Sequence, residues 1–188
     1  DFRKLFPKVE LNFHSLSSNR RCIEALRNEQ ADLAFITMGQ DLKGVEQIPV
    51  MEVPWVLVAP KNHAICNNHA IKPEQLRDIS YIRLRESSTS QSQLTQILSQ
   101  HGVTLQSSTL VDDWDTAILF VSMGLGYAIT PAVHAEQLGP SHHVVGIPIA
   151  GIGAVSFGWA CRRWSALSRV AKGFVELFAE QGAYKINN

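Results

Sequence analysis

The sequence predicts an α/β protein built as two lobes joined by two crossing segments, and three observations carry that expectation. Short apolar strands and amphipathic helices alternate almost one for one, the pattern of mostly parallel sheets with helical connections. The elements are too many for one small sheet in a chain of 188 residues. Two extended, proline-containing segments, residues 54–58 and 145–149, read as passages from one lobe to the other. On this reading residues 1–57 and 148–188 form lobe I and residues 58–147 form lobe II, so the first lobe uses both chain ends.

The elements follow from local chemistry. "DFRKLF" reads as the last turns of a helix stopped by Pro7, and because a natural domain seldom begins inside a helix, a trimmed fragment is expected. "VELNFH", residues 9–14, alternates apolar and polar side chains and predicts a strand. Ser17 or Ser18 then caps a helix running to about Glu29, with Cys22, Ile23, Ala25 and Leu26 apolar. "ADLAFIT" is a buried strand ending at Thr37, and residues 44–60 form a long extended run broken by Pro49 and Pro54.

A polar connection with a short helix near residues 73–77 leads to the strand "SYIRL". Ser90 and Gln93 fit a capping box for the next helix, whose face is Leu94, Ile97, Leu98 and His101, closed by Gly102. "SSTLV" is a strand, and Asp112 or Asp113 caps a helix with Trp114, Ala117, Ile118 and Val121 inward. "FVSMGLGYAITPAV" contains glycines beside a strand, but they close a helix and feed the strand, the reverse of a dinucleotide fingerprint. Gly124 fits the position just past a helix end, where a left-handed backbone suits glycine. A short helix over residues 131–137, the extended "HHVVGIPI", the strand "AVSFGWAC" and a final helix capped by Ser165 complete the chain. The final helix turns Leu167, Val170, Ala171, Phe174, Leu177 and Phe178 inward and ends at Gly182.

Lys+Arg and Asp+Glu both number 17, so the chain is neutral and lacks the positive face with which a domain grips nucleic acid. Its three cysteines are widely spaced, which suits free thiols in a cytoplasmic protein rather than disulfides or metal ligands. No apolar run suggests a membrane span. The histidines, His63, His69, His142 and His143 among them, lack zinc-site spacing, and no metal or cofactor is expected. Asp112, Asp113 and Asp115 suit helix capping better than acid–base chemistry, and no G-x-S-x-G elbow or other convergent catalytic set is present. Trp55 and Trp114 read as lobe core or hinge packing rather than stacking platforms.

Four stretches stand in one order: "FRKLFPKVELNF", "IEALRNEQADLAFI", "VLVAPKNHAI" and "SMGLGYAITPAV". With them the chain resembles the effector-binding domain of LysR-type transcriptional regulators from about Phe2 to Gly182. Ala64 stands where that family's third stretch carries proline. The resemblance implies two Rossmann-like lobes of the type 2 periplasmic-binding-protein kind, with a small-molecule effector in the cleft between them. It implies that the family's first strand, its winged helix-turn-helix and its linker helix are missing from this chain, so DNA is reached only through that missing amino-terminal domain. It also implies a homodimer or tetramer in which the helix of residues 18–29 packs on a partner's second lobe. Cys22, Ile23 and Leu26 are then either intermolecular or core of their own lobe.

The expected ligand is a small anionic or zwitterionic metabolite held by Ser17, Ser18, Thr37, Ser87, Ser88 and Thr89. Two serine clusters open helices, where free amide N–H groups and the positive helix end favour an anion, and Thr37 adds a hydroxyl at a strand end. Arg83, Arg85 and Glu86 lie nearby in sequence. Two other functions share this architecture: a transporter's solute-binding protein, which requires an upstream signal peptide or lipid-attachment cysteine, and an enzyme, which requires the catalytic set not found here.

Overall fold

The computed structural model describes residues 2–16, 18–39, 42–85 and 88–182. They fall into two compact units, unit 1 of residues 1–52 and 156–188 and unit 2 of residues 53–155. The sequence places the divides at 57/58 and 147/148, and the chain passes between units at 52/53 and 155/156 instead. The reason is strand pairing: residues 144–148 do not cross but form a strand of unit 2, and the second passage lies inside the following strand.

In unit 1, helix α1 (Phe2–Leu5) is followed by helix α2 (Asn19–Arg27) and strand β1 (Ala34–Thr37). The first part of β2 (Glu46–Pro60) and most of β7 (Ala154–Cys161) complete the sheet in the order β1-β7-β2, and α6 (Arg169–Gly182) follows. Ile23 and Leu26 of α2 are buried against Ile36 and Ala160, with Cys22 partly buried beside them, so these residues are core of their own unit. The opposite side of the sheet carries an aromatic layer in which Phe35, Trp159, Phe174 and Phe178 meet edge to face or tilted. The strand expected at residues 9–14 is not formed. A strand needs a partner for its N–H and C=O groups, and the described residues offer this mostly exposed segment none.

Unit 2 is organised on the second half of β2. Val56, Leu57 and Val58 pair on one side with Thr130, Ile129 and Ala128 of β5 (Ala128–Pro131) and on the other with Pro148, Ile147 and Gly146 of β6 (Val144–Pro148). Both pairings are antiparallel. β3 (Tyr81–Leu84) and β4 (Ser107–Val111) pair in parallel, and a parallel bridge joins Tyr81 to Tyr127. The sheets are therefore mixed rather than mostly parallel, because β2 runs against its neighbours in unit 2 and β7 runs against β1 in unit 1. Pro54 does not interrupt β2, since it precedes the residues paired with β5 and β6.

Helices α3 (Thr89–Gln100), α4 (Trp114–Ser122) and α5 (Ala132–His142) pack on this framework. Asp113 caps α4, and its carboxylate accepts the Thr116 N–H at 2.7 Å. Trp114, Ala117, Ile118 and Val121 form the buried face, and Trp55 meets Trp114 edge to face in the core. Gly124 has φ +78°, the left-handed position past the end of α4. Gly126 lies so close to the Ser80 carbonyl that a Cβ there would collide with it. α5 runs past the expected end at residue 137 and contains Pro140 in its last turn, which forgoes the one backbone bond its own N–H would make. The cap of α6 is Ser168 rather than Ser165, its hydroxyl accepting the Ala171 N–H at 3.1 Å, while residues 164–166 form a separate 3-10 turn.

Candidate functional site

In each unit a helix start is held against a strand end. In unit 1, α2 begins at Ser18, whose hydroxyl accepts the Arg21 N–H at 3.4 Å. Asn19 follows on the same buried stripe as Ile23 and Leu26. Its side-chain amide donates to the Thr37 carbonyl at 2.6 Å and accepts the Thr37 N–H at 3.3 Å. Ser18 and Thr37 are thus brought together through Asn19. Thr37 is only 8% exposed, and among the described residues no hydrogen bond engages its hydroxyl.

In unit 2 the cap of α3 is Ser88, not Ser90; its hydroxyl accepts the Gln91 N–H at 3.4 Å. Ser90 is buried in the first turn, 3.1 Å from the Ser88 hydroxyl, which is a packing position rather than a cap. Thr89 opens the helix, half-buried. Gln91 is buried beneath it, and its carbonyl oxygen accepts both the Tyr81 hydroxyl at 3.0 Å and the Leu84 N–H at 3.1 Å. Its amide nitrogen donates to the Thr95 hydroxyl at 3.3 Å. Burial pushes the Tyr81 phenol well above its ordinary range, so it serves here as a neutral donor. Ser17, Ser87 and Glu86 lie outside the described residues.

Asn19 and Gln91 are the residues that sequence reasoning missed. Each carries a visible signal: a polar residue on an otherwise apolar helical stripe, 19-23-26 in α2 and 91-94-98 in α3. Arg85, expected to assist an anion, is exposed and holds Asp112 at 2.6 Å. Arg83 has a partner of its own. The other acidic residues also have structural uses, Asp113 as a cap and Asp115 3.9 Å from His134. Burial lowers the His134 pKa, and Asp115 opposes that shift. Burial raises the thiols of Cys22, Cys66 and Cys161, so none of the three is poised as a thiolate.

A cavity of about 760 Å³ lies in unit 1 at the far end of α2 from Ser18, lined by Arg27, Glu29, Asp32, Arg162 and Arg163 among others. None of the predicted site residues lines it. Two of its arginines are turned to its own groups: Arg162 donates to the Leu26 carbonyl at 2.6 Å and faces Glu29 at 4.0 Å, and Arg27 bonds the Lys43 carbonyl. Among the described residues no three His, Cys, Asp or Glu side chains gather to hold a metal, and no helix is long and apolar enough to cross a membrane.

The two α/β units have the type 2 periplasmic-binding-protein-like fold. Residues 1–183 match the LysR substrate binding domain, and the chain belongs to that family. It is 29% identical over 160 residues to a probable RuBisCO transcriptional regulator of Trichormus variabilis, covering 80% of this chain and 46% of that protein. It is 26% identical over 177 residues to the regulator CatR of Pseudomonas putida, covering 93% and 60% respectively. The chain thus spans about half the length of these relatives. Its fold is similar to the effector binding domain of QuiR in complex with shikimate, with TM-score 0.81, 19% identity, and coverage of 97% of this chain and 90% of that one. It is also similar to the regulatory domain of Synechocystis CcmR in complex with 2-PG, with TM-score 0.83, 15% identity, and coverage of 96% and 86%. The chain is a regulator's effector-binding domain, not the solute-binding protein of a transporter.

Proposed function

We propose that this chain senses a small anionic or zwitterionic metabolite for a cytoplasmic DNA-binding regulator and performs no catalysis. The candidate contacts in unit 1 are Ser18 and Thr37, and those in unit 2, taken by itself, are Ser88 and Thr89; Ser17 and Ser87 are candidates on the sequence alone. The observation that carries this reading is Thr37, a nearly buried residue whose backbone is saturated by Asn19 while its hydroxyl has no partner among the described residues. Its hydroxyl is not among the sealed, unpaired polar atoms, so it stays open to a ligand donor or acceptor at no cost to the protein's own hydrogen bonding. The helix starts of α2 and α3 supply amide N–H groups and positive dipole ends, so a carboxylate or phosphate is favoured without a fixed cation.

An effector bound with different affinity in two arrangements of the regulator shifts their balance, and a coupling of about 1–3 kcal/mol suffices for several-fold changes in promoter occupancy. DNA contact belongs to an amino-terminal winged helix-turn-helix outside this neutral chain. Assembly is a homodimer, or a tetramer built from it, in which the outer face of α2 meets a partner's second unit. Leu110 on β4, Leu119 on α4 and Met123 just past its end, all exposed, supply an apolar surface for that contact. Sedimentation of Met123→Asp beside the parent checks it, the parent dimeric and the variant shifted toward monomer.

Thermal-shift screening of carboxylates, phosphates and amino acids, with shikimate and 2-PG among them, tests the effector reading. A ligand present at about a hundred times its Kd stabilises by about 2.7 kcal/mol. Thr37→Val keeps the shape and removes the free hydroxyl, so it should weaken binding while leaving the unliganded melting point nearly unchanged. Ser88→Ala is the less clean variant, because it also removes the cap of α3, worth about 1 kcal/mol. An effector that binds Thr37→Val as tightly as the parent would overturn the assignment of the site.

A further inference from the structure

We propose that Asn19 and Gln91 are positioning residues: two buried side-chain amides that each hold a helix start against a strand end and so fix the hydroxyls of the effector site. This inference rests on the reading of Ser18, Thr37 and Ser88 as effector contacts. Its first support is where polar groups are buried. The buried polar residues among those described are Asn19, Thr37, Ser90, Gln91 and Thr130. All but Thr130 lie at these two junctions, so buried polarity is concentrated there rather than spread through the core.

The second support is geometry. β1 is the edge of its sheet among the described residues, and its antiparallel ladder turns the Met38 N–H toward Ser156. Alternation then points the Thr37 N–H and C=O away from β7. Asn19 meets both groups with one carboxamide, which takes the place of the peptide unit of a neighbouring strand. In unit 2 the Arg85 N–H goes to Val111 of β4, and the Leu84 N–H turns the other way, to Gln91. The Tyr81 hydroxyl uses the same oxygen, so one side chain ties both ends of β3 to the first turn of α3.

The third support is chemical. An apolar residue at either position would pack on the stripe beside Leu26 or Leu94 without needing any partner. A fully satisfied buried amide fixes one arrangement of helix and strand where apolar packing tolerates several. The positions of the Ser18 and Ser88 hydroxyls then depend on side chains that need not touch the effector themselves.

Native-state hydrogen exchange, read by NMR, tests this on the parent, Asn19→Leu, Gln91→Met and Gln91→Glu. In Asn19→Leu the Thr37 amide should exchange about tenfold faster, and in Gln91→Met the Leu84 amide likewise, from the loss of one to two buried hydrogen bonds. The Leu57 amide, in the strand paired on both sides, should keep its parent rate in each variant. Gln91→Glu retains an oxygen acceptor and should restore protection at Leu84. Affinities for shikimate, 2-PG and inorganic phosphate, measured on the same proteins, should fall about tenfold in the Leu and Met variants for any probe the parent binds. Equal acceleration at Thr37 and Leu57, or an unchanged Thr37 rate, would overturn the inference. A parent that binds none of the three probes would count against the effector contacts, while the exchange rates still decide the clamps. Should Asn19→Leu not fold, the Gln91 pair carries the same test in unit 2.

Discussion

Unit 1 and unit 2 solve the same local problem, a helix start set against a strand end, with very different depths of support. In unit 2 the junction lies over a dense apolar core: of the largest fully buried side chains described, all but Leu26 belong to it. Unit 1 rests on a small cluster under α2 and an aromatic layer that leaves Phe35 39% exposed and Phe13 76% exposed. Stability is not uniform in such a molecule, and the leaner unit is expected to open locally first.

The largest test of this contrast is in the cores. Ile118→Ala should lower the unfolding free energy by about 3–4 kcal/mol, measured by chemical denaturation, since a fully buried residue leaves a cavity behind. Phe35→Ala removes a larger side chain from a partly exposed site and should lower it by about 1–2 kcal/mol. An equal or reversed order would show that the two units are supported alike.

How far the sequence could be read follows the same divide between local and tertiary causes. The buried face of α4, the left-handed Gly124 and a cap at Asp112 or Asp113 were legible because each is decided within a few residues, and the structure makes the cap Asp113. The cap of α3 was misplaced by two residues because Ser88 and Ser90 are equally good caps in isolation; the tie is broken by packing, which buries Ser90. The strand expected at residues 9–14 has the right alternation but finds no ladder partner among the described residues, and periodicity does not report partners. Of the site, Thr37, Ser18, Ser88 and Thr89 could be proposed from helix and strand ends. Asn19 and Gln91 could not be assigned a role, since their partners lie 18 and 7 to 10 residues away and only the fold joins them.

Backbone tests come next in size and stay within unit 2. Gly126→Ala should destabilise by about 2–3 kcal/mol, because a Cβ there meets the Ser80 carbonyl and the backbone has φ +145°. Gly124→Ala, with φ +78° and open space around the added Cβ, should cost about 1 kcal/mol from strain alone. Melting both variants side by side separates collision from conformational strain, and equal losses would remove the close approach at Ser80 as a distinct cause.

A pH test addresses His134 of unit 2. Burial lowers the His134 pKa below its ordinary value of 6.5, with Asp115 partly opposing the shift. The folded state therefore holds the neutral ring, and the unfolded chain takes up its proton first as pH falls. The stability that depends on the neutral ring is complete above the unfolded pKa, declines as pH drops below it, and levels off below the folded pKa. Denaturation at pH 7.5 and about pH 5.5 should show a smaller loss for His134→Gln than for the parent. Parallel losses would mean that the ring keeps its ordinary affinity for the proton.

The smallest effect is expected where the two junctions differ most plainly in charge. The strand end of unit 1 is met by the neutral amide of Asn19, while that of unit 2 is bordered by Arg85 and Asp112, 2.6 Å apart. The short distance suggests strength, yet the side chains are 59% and 74% exposed, and water screens the pair while ordering it costs side-chain entropy. Asp112→Asn should therefore change stability by no more than about 0.5 kcal/mol, and the change should vanish in about 0.5 M salt. What it should alter is binding, because Arg85 is then released at the margin of the α3 start. An anionic effector should bind Asp112→Asn more tightly than the parent at low salt, with the gain lost as salt rises. A zwitterionic effector whose amine lies near Asp112 should bind more weakly instead. The sign of that change separates the two effector classes that the helix starts accept equally well, and no change at low salt would place the effector's charge away from Arg85.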